Sequence, residues 1–221
     1  MTAEEVREEY LRALLAGSRR DAMAVVDGAV QDGMGIRPLY LEVFQPVMRE
    51  IGRLWQENQI TVADEHLATA ITQAAMARLY DQLFAGGAQP GPLLVAACAD
   101  QERHELGLRM ICDVLEMEGW DTVFLGASVP VEDLVQMVVE RRPQVVALSA
   151  SIAPHVARVR AAIDGIRAAV PEGGPVIVVG GRAFADDAGL AERLGADLTA
   201  ADAVEAAERL KERFGGMKDA A

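Results

Sequence analysis

The chain has 221 residues, of which 34 are acidic and 21 are basic, so its formal net charge is −13. A chain this acidic repels phosphate backbones, and direct nucleic-acid binding is therefore not expected. Its two cysteines are too few for a disulfide framework or a four-thiolate zinc site, and 51% hydrophobic with 25% charged residues argues against disorder.

The amino-terminal segment shows no targeting signal. Its first nine residues include four glutamates, and no apolar h-region follows a basic stretch. No run in the chain reaches the roughly 18 apolar residues of a membrane span. We therefore expect a cytoplasmic protein without a membrane partner.

Residues 1–84 are predicted to form a four-helix bundle, because apolar residues recur at helical spacing between short polar connections. Each predicted helix begins near a residue that favours a first turn, namely Thr2, Ser18, Pro38 and Thr61. Pro46 lies inside the third helix and should kink it, since proline lacks an N–H and crowds the preceding turn.

Residues 85–91 are predicted to be a linker, and the pattern changes after them. Short β-rich runs alternate with helical stretches, which indicates a parallel sheet covered on both faces. The predicted strands are 93–98, 122–125, 144–148, 176–179 and, more weakly, 197–199; the predicted helices are about 104–117, 131–141, 154–169, 183–194 and 202–213. The fold class is therefore α/β, with the bundle followed by a flavodoxin-like five-stranded sheet over 92–214 and a tail at 215–221.

Polar and small residues follow the predicted strands, where ligands of parallel sheets bind. Glu102 precedes His104 by two residues, an arrangement that can orient an imidazole as a metal ligand. Each feature also has an ordinary explanation, because a loop histidine is usually solvated and a glycine pair usually makes a tight turn. The other residues at these strand ends are Gly107, Ser149, Ser151, Gly180 and Gly181.

Taken in order, these residues resemble the signature of the cobalamin-binding domain, which is D-x-H-x-x-G, then S-x-L, then GG. This chain departs from it twice, with Glu102 in place of Asp and Ser151 in place of Leu. The resemblance implies that His104 binds cobalt after displacing the cofactor's own dimethylbenzimidazole. It also implies that the cofactor contacts Glu102, Arg103, Gly107, Ser149, Ser151, Gly180 and Gly181.

The bundle carries a second motif, in which nine residues separate Trp55 from the pair Glu65-His66. This W-x9-E-H spacing resembles the light-sensing module of MerR-type adenosylcobalamin photoreceptors. The resemblance implies that Trp55 packs beside the 5′-deoxyadenosyl group, that Glu65 and His66 contact it, and that the bundle caps the upper face of the corrin. The alternative is that Trp55 is a core aromatic of the bundle and Glu65 a simple charge at the start of a helix. Gln56 stands where the known sensors carry a histidine that binds cobalt after illumination.

The sequence leaves three functions open. The first is a non-enzymatic sensor that binds adenosylcobalamin and acts through a homo-oligomer or a separate effector protein. The second is a corrinoid carrier, loaded as methylcobalamin, that moves methyl groups between partner methyltransferases. The third is an interaction module that binds no corrin or binds a different chromophore. The W-x9-E-H motif favours the sensor.

Overall fold

The computed structural model describes residues 1–83, 91–185, 187 and 189–214, with residues 81–83 described by their backbone alone. Contacts divide the chain into two compact units, Met1–Gly86 and Gly87–Ala221. Of the predicted linker, only Gly91 lies among the described residues, and the predicted tail at 215–221 lies outside them.

The first unit is entirely helical in its described part. At its amino terminus, the Thr2 hydroxyl accepts a hydrogen bond from the backbone of Glu5, whose carboxylate accepts one from the backbone of Thr2. Ser18 caps the second helix through its side chain. The α-helices of this unit are α1 Ala3–Leu15, α2 Arg19–Gln31, α3 Ile36–Pro38, α4 Gln45–Gln56 and α5 Val62–Leu83.

A π-helical segment, Leu39–Phe44, joins α3 to α4 directly before Pro46. Its wider turn is seen where the N–H of Gln45 donates to the carbonyl of Tyr40, five residues earlier. Because the proline ring crowds the carbonyl four residues before it, a wider turn relieves the clash without ending the helical stretch. A π turn therefore lies directly before Pro46, and α3, the π-helical segment and α4 together span the predicted third helix.

Aromatic side chains fill the centre of the bundle. The rings of Tyr10 and Tyr40 lie 5.1 and 5.6 Å from that of Phe44, measured between centroids, and all three residues are 0% exposed. The Tyr10 hydroxyl lies 3.0 Å from that of Thr72, which is also fully buried. Burial of Tyr10 raises the pKa of its hydroxyl to about 12, although the hydrogen bond to Thr72 opposes the shift.

The second unit is built on five parallel strands in the order β2-β1-β3-β4-β5. The central strands β1 and β3 are buried on both faces, as expected when helices cover both sides of a sheet. This order is the flavodoxin-like one, and the predicted fold class is confirmed. The strands are β1 Leu93–Cys98, β2 Asp121–Gly126, β3 Val145–Ser149, β4 Val176–Gly180 and β5 Leu198–Ala200.

The α-helices of this unit are α6 Leu106–Met117, α7 Val131–Arg141, α8 Val156–Ala169, α9 Leu190–Arg193 and α10 Ala203–Phe214. The continuous helix predicted over 183–194 is wrong, because a 3-10 turn spans Arg182–Phe184 and α9 begins only at Leu190. The Asp187 carboxylate accepts a hydrogen bond from the N–H of Gly189 and pairs with Arg193, which favours a turn here.

Among the described residues, no helix combines the length and the apolar character that crossing a membrane requires.

Candidate functional site

Segments that follow different strands meet at the carboxyl edge of the sheet. The N–H of Ala99 donates to the carbonyl of Ser149 at 3.0 Å, and the N–H of Ser128 donates to the carbonyl of Glu102 at 2.8 Å. Ser149 in turn pairs with Gly180 in the register of β3 and β4. The residues after β1, β2, β3 and β4 therefore form one surface, where parallel sheets place their ligands.

Glu102 lies buried at this edge of the sheet, where it is 0% exposed. One carboxylate oxygen, Oε1, accepts from the backbone N–H of His104 at 2.9 Å and contacts ring Nδ1 of the same residue. The other, Oε2, accepts from the N–H of Ser151 at 2.6 Å and lies 3.0 Å from Nδ1 of His155. A buried carboxylate thus has a donor for each of its roughly four lone-pair positions.

These hydrogen bonds decide the charge of Glu102. Burial acts to raise the pKa of its carboxyl group, but the hydrogen bonds from the side chains of His104 and His155 and from the backbones of Ser151 and His104 outweigh burial. The pKa of Glu102 consequently lies well below its usual range. The Glu102 carboxylate in contact with the imidazole of His104 is therefore ionised at neutral pH.

His104 presents the chemistry of an oriented metal ligand. Its side chain is 47% exposed, whereas Glu102 is fully buried. Because Nδ1 is committed to the carboxylate, Nε2 is the ring nitrogen that can bind a metal, and the carboxylate raises its basicity. The backbone is held too, since the Cys98 thiol lies 3.7 Å from the carbonyl of His104. This donor arrangement fits a cobalt ion carried in a corrin ring.

Two residues beside Glu102 adopt left-handed backbone conformations that non-glycine residues rarely take. Gln101 has φ +68° and Ser128 has φ +52°. The N–H of Gln101 donates to the Ser128 hydroxyl oxygen at 3.0 Å, so the two strained positions stabilise each other. Such backbone conformations cluster at functional sites, where the surrounding structure holds them in place.

The predicted site glycines fall into two groups. A Cβ built on Gly107 meets no atom within 4 Å, so a bulky group can approach the backbone there. A Cβ on Gly180 would lie 2.8 Å from the carbonyl oxygen of Ala200, and one on Gly181, which has φ +97°, would lie 2.3 Å from that of Ala150. Close packing of the backbone therefore requires glycine at 180 and 181 even without a ligand.

The remaining predicted residues of this surface differ in exposure. Ser149 is 8% exposed at the end of β3. Ser151 is partly buried, and its contribution to the network is its backbone N–H rather than its side chain. Arg103 is exposed on the loop between Glu102 and His104.

The bundle residues of the W-x9-E-H motif lie where α4 ends and α5 begins. Trp55 is 37% exposed in the last turn of α4, so it is not a core aromatic. In the first turn of α5, Nδ1 of His66 lies 2.6 Å from Oε2 of Glu65, whose Oε1 accepts from the Thr69 hydroxyl at 3.0 Å. The side chain of His66 is 74% exposed and that of Glu65 only 16%. This end of the bundle presents a flat apolar ring and a hydrogen-bonded pair of Glu65 and His66.

His155 is the residue that sequence reasoning undervalued. Neither motif includes it, and a histidine that follows a strand is more often solvated or caps the following helix. In the structure its side chain is 14% exposed and it shares the carboxylate of Glu102 with His104, 51 residues away. The available signal was a histidine in the loop after β3, at the same sheet edge as Glu102.

Two family models match the chain, both described as B12 binding domain. One matches residues 6–80, the helical unit, and the other matches residues 92–211, the sheet unit. The second match alone covers more than half of the chain. The family predicted from Glu102, His104 and the glycines is therefore confirmed.

Among curated proteins, the chain is 32% identical over 194 residues to the HTH-type transcriptional repressor CarH of Myxococcus xanthus and 32% identical over 179 residues to the repressor CarA of the same organism. These matches take 87% and 80% of this chain but only 62% and 59% of the repressors. The chain thus spans about three fifths of their length. It is also 22% identical to the dimethylamine corrinoid protein of Methanosarcina barkeri, covering 96% of this chain and 99% of that protein.

Among solved structures, the monomethylamine corrinoid protein of Methanosarcina barkeri matches with a TM-score of 0.84 at 19% identity, covering 96% of this chain and 99% of that one. At this identity the match establishes the fold. Together with the cobalt-compatible geometry at His104, the family matches support cobalamin binding. The chain belongs to the B12-binding domain family.

Proposed function

We propose that this chain is a non-enzymatic, adenosylcobalamin-dependent light-sensing module. The observation that carries the cobalamin site is the pair of His104 and Glu102, in which a half-exposed imidazole is held through Nδ1 by a buried carboxylate. The choice of the adenosyl form rests on the exposed ring of Trp55 at the end of α4 and on the Glu65–His66 pair at the start of α5. Bound adenosylcobalamin would supply a cobalt–carbon bond that visible light breaks.

The residues of each unit have separate roles in this proposal. His104 would hold the cobalt through Nε2, and the open space at Gly107 would leave room for the corrin near the backbone. Trp55 provides an apolar wall for the upper group, and the Glu65 carboxylate accepts hydrogen bonds from ribose hydroxyls. Without an upper group, Trp55 and Glu65 would lose these contacts. The bundle would then favour a second conformation with a different interface toward another copy or an effector protein.

The relatives that share 32% identity favour regulation over catalysis. The two relatives at 32% identity are transcriptional repressors, and the corrinoid proteins lie at lower identity. The net charge of −13 still predicts that these 221 residues do not bind nucleic acid themselves. In this proposal the signal therefore passes through protein contacts.

A corrinoid methyl carrier is the second candidate. It is favoured by the extent of the match to the dimethylamine corrinoid protein, which covers 99% of that protein, whereas only 62% of the CarH repressor is matched. Gln56 also departs from the sensors, so a cobalt-binding histidine is lacking immediately after Trp55. A carrier would prefer methylcobalamin and would turn over only with partner methyltransferases.

One experiment separates the two candidates. The protein is loaded with adenosylcobalamin in the dark, and its absorption spectrum and elution volume are recorded before and after green light. The sensor predicts a change of the cobalt–carbon spectrum together with a change in oligomeric state or conformation. An unchanged spectrum after bright light contradicts it, and tighter binding of methylcobalamin than of adenosylcobalamin supports the carrier.

The same measurement on His104→Ala tests the lower ligand. This variant should still bind cobalamin through the other contacts, but with the spectrum of a cofactor that lacks a nitrogen ligand on its lower face. A wild-type spectrum from His104→Ala would show that this imidazole does not bind cobalt.

A further inference from the structure

The loop between β1 and α6, which carries His104, begins with a strained turn. The N–H of Glu102 donates to the carbonyl of Ala99 at 2.8 Å, which closes a turn of four residues. Gln101, the third residue of this turn, has φ +68°. A positive φ at this position favours glycine or asparagine, and another residue keeps it only where neighbouring groups hold it in place. The turn before His104 therefore needs support from outside the loop.

Ser128, on the segment that follows β2, contacts this turn through two hydrogen bonds. Its hydroxyl oxygen accepts from the N–H of Gln101 at 3.0 Å, and its own N–H donates to the carbonyl of Glu102 at 2.8 Å. We propose that Ser128 is a positioning residue, which acts through the backbone of this turn to hold the loop of His104 in place before the cofactor binds. The inference rests on the proposed role of His104 as cobalt ligand.

The backbone around Ser128 is itself tied to the loop. The N–H of the next residue, Val129, donates to the carbonyl of Cys98 at 3.3 Å. Gly126 ends β2 with φ +83°, and a Cβ built on it would lie 3.1 Å from Oε2 of Glu105. The segment after β2 therefore follows the loop from the end of β1 to the start of α6, and Ser128 contacts the middle of the loop.

The hydroxyl of Ser128 is separable from its backbone conformation. Ser128 has φ +52°, which glycine adopts at lower cost than serine. Glycine at this position would relieve the strain but would remove the acceptor for the N–H of Gln101. Asparagine tolerates the left-handed conformation and also carries a side-chain oxygen that accepts hydrogen bonds. Substitutions of Ser128 can therefore distinguish the effect of the hydrogen bond from the effect of backbone strain.

Loss of the hydroxyl should loosen the loop without unfolding the sheet unit. Gln101 and Ser128 are both exposed, so water can replace the lost partner, and one hydrogen bond of this kind changes an opening equilibrium by about fivefold. Val146 lies in the buried strand β3 and reports on the sheet core instead. Local and global opening therefore have separate reporters.

The first test uses the cofactor-free protein, labelled with 15N, and measures amide hydrogen exchange. The amides of Glu102 and His104 report on the loop, because they donate to the carbonyl of Ala99 and to Oε1 of Glu102. Ser128→Ala and Ser128→Gly should both speed exchange of these two amides about fivefold and leave Val146 unchanged. Ser128→Asn should return exchange to the wild-type rate.

The comparison of Ser128→Gly with Ser128→Ala decides between the hydroxyl and the strain. If Ser128→Gly exchanges like wild type and only Ser128→Ala is faster, backbone strain controls the loop and the proposal is overturned. Unchanged exchange in both variants overturns it as well. If Ser128→Ala does not fold, Ser128→Gly avoids the strain and still gives the comparison with Ser128→Asn.

Arg142 offers a matched control, because it also has a positive φ, +49°, and lies at the end of α7. Arg142→Ala changes a strained residue that no hydrogen bond described above joins to the loop of His104. Exchange of Glu102 and His104 should therefore keep the wild-type rate in this variant. Faster exchange there would mean that the loop responds to any strained position, which overturns a specific role of Ser128.

The second test follows the cobalt in protein loaded with cobalamin. In the Co(II) form, a lower nitrogen ligand splits the electron paramagnetic resonance lines. Ser128→Ala should raise the Kd for cobalamin about fivefold and lower the fraction of split signal, and Ser128→Asn should restore both. Faster loop exchange with an unchanged Kd and an unchanged split signal would overturn the positioning role. A wild-type protein without split signal would instead overturn the cobalt ligand, while the exchange rates still decide whether Ser128 holds the loop.

Discussion

Glu102 and His104 form a closed pair within three residues of chain. The same carboxylate oxygen accepts the backbone N–H of His104 at 2.9 Å and contacts Nδ1 of its ring. The hydrogen bond to the N–H holds the backbone of His104 in place, and the contact to Nδ1 sets the orientation of its ring. The loop that carries His104 therefore also orients its ring. The side chain of Glu is one methylene longer than that of Asp and still contacts the backbone N and Nδ1 of His104.

Glu102→Gln should destabilise the sheet unit by about 3 kcal/mol, because it removes one partner of a buried, charged network. The effect depends on pH with a defined sign. Since the folded-state pKa of Glu102 lies below the unfolded value of about 4.3, its stabilisation is present above that pH and is lost as the pH falls below it. Urea unfolding of wild type and Glu102→Gln at pH 7 and pH 3.5 measures the loss of stability and its dependence on pH.

The matched control for this substitution is Glu172→Gln, which removes the same charge from an exposed position. The difference in unfolding free energy between the two variants should shrink on acidification. A difference that is equal at both pH values would mean that the Glu102 carboxylate is not held in its charged form.

Tyr10→Phe should lower the stability of the bundle by about 1 kcal/mol at neutral pH, because it removes a buried hydrogen bond to Thr72. The hydroxyl of Thr72 also donates to the carbonyl of Ala68 at 2.9 Å, so Tyr10 is the donor in the shared bond. Because the pKa of Tyr10 is raised to about 12 in the folded protein, wild-type stability should fall as the pH rises from about 10 to about 12.

This fall in stability at alkaline pH should be smaller in Tyr10→Phe. Thermal unfolding between pH 8 and pH 11 gives the comparison, and Thr72→Ser serves as the control that keeps the hydroxyl. Parallel stability curves for wild type and Tyr10→Phe over this range would contradict the buried hydroxyl.

Gly107 and Gly181 should respond to alanine in opposite ways. Gly181→Ala should cost about 3 kcal/mol of stability or more, because the position has φ +97° and the new Cβ would collide with the carbonyl oxygen of Ala150. Gly107→Ala should leave stability unchanged or raise it by up to about 1 kcal/mol, since a helical position gains a better helix former with no clash.

The effect on cobalamin affinity should also be tested in the two glycine variants. Gly107→Ala should weaken this affinity about tenfold, because the added methyl group occupies space near the backbone that the corrin is proposed to use. Urea unfolding of both variants measures the free energy of unfolding, and spectrophotometric titration measures the Kd for cobalamin. A Gly107→Ala protein that binds cobalamin as tightly as wild type would place the corrin elsewhere.

Trp55→Ala should raise the Kd for adenosylcobalamin about tenfold and change the Kd for methylcobalamin little, because only the larger upper group is proposed to contact this ring. The second tryptophan offers a control. Trp120 is 9% exposed and packs edge-on against Phe214 with 5.5 Å between ring centroids, away from the motif in sequence. In Trp120→Phe, Trp55 is the single tryptophan, and its fluorescence should be quenched when adenosylcobalamin is added in the dark.

Both cysteines should be unreactive in the folded protein. Cys98 and Cys112 are 0% and 2% exposed, and burial, followed by the charges of Glu102 and Glu105, raises the pKa of the Cys98 thiol to about 12. Burial likewise raises the pKa of Cys112. A thiol reagent at pH 8 should therefore modify neither residue until urea is added, when both react. Rapid modification of one thiol in native buffer would contradict this burial.

Several features were accessible from local sequence because their causes are local. The capping pair of Thr2 and Glu5, the helix start at Ser18 and the parallel strands all follow from spacing of residues within a few positions. The helix predicted over 183–194 failed for the opposite reason, since the turn around Asp187 is stabilised by side-chain contacts with Gly189 and Arg193 that periodicity does not encode. The π turn before Pro46 was visible only as an expected kink.

The sequence by itself determined the family, the alternation of strands and helices and the pairing of Glu102 with His104. These depend on short-range spacing and on the rule that parallel strands end at one edge. The tertiary structure alone decided that His155 shares the same carboxylate, that Trp55 is exposed and that Gly180 and Gly181 pack against neighbouring backbone. Each of these depends on which atoms from distant parts of the chain come within a few ångströms, and that distance is set by the packing of helices on the sheet and not by any local pattern.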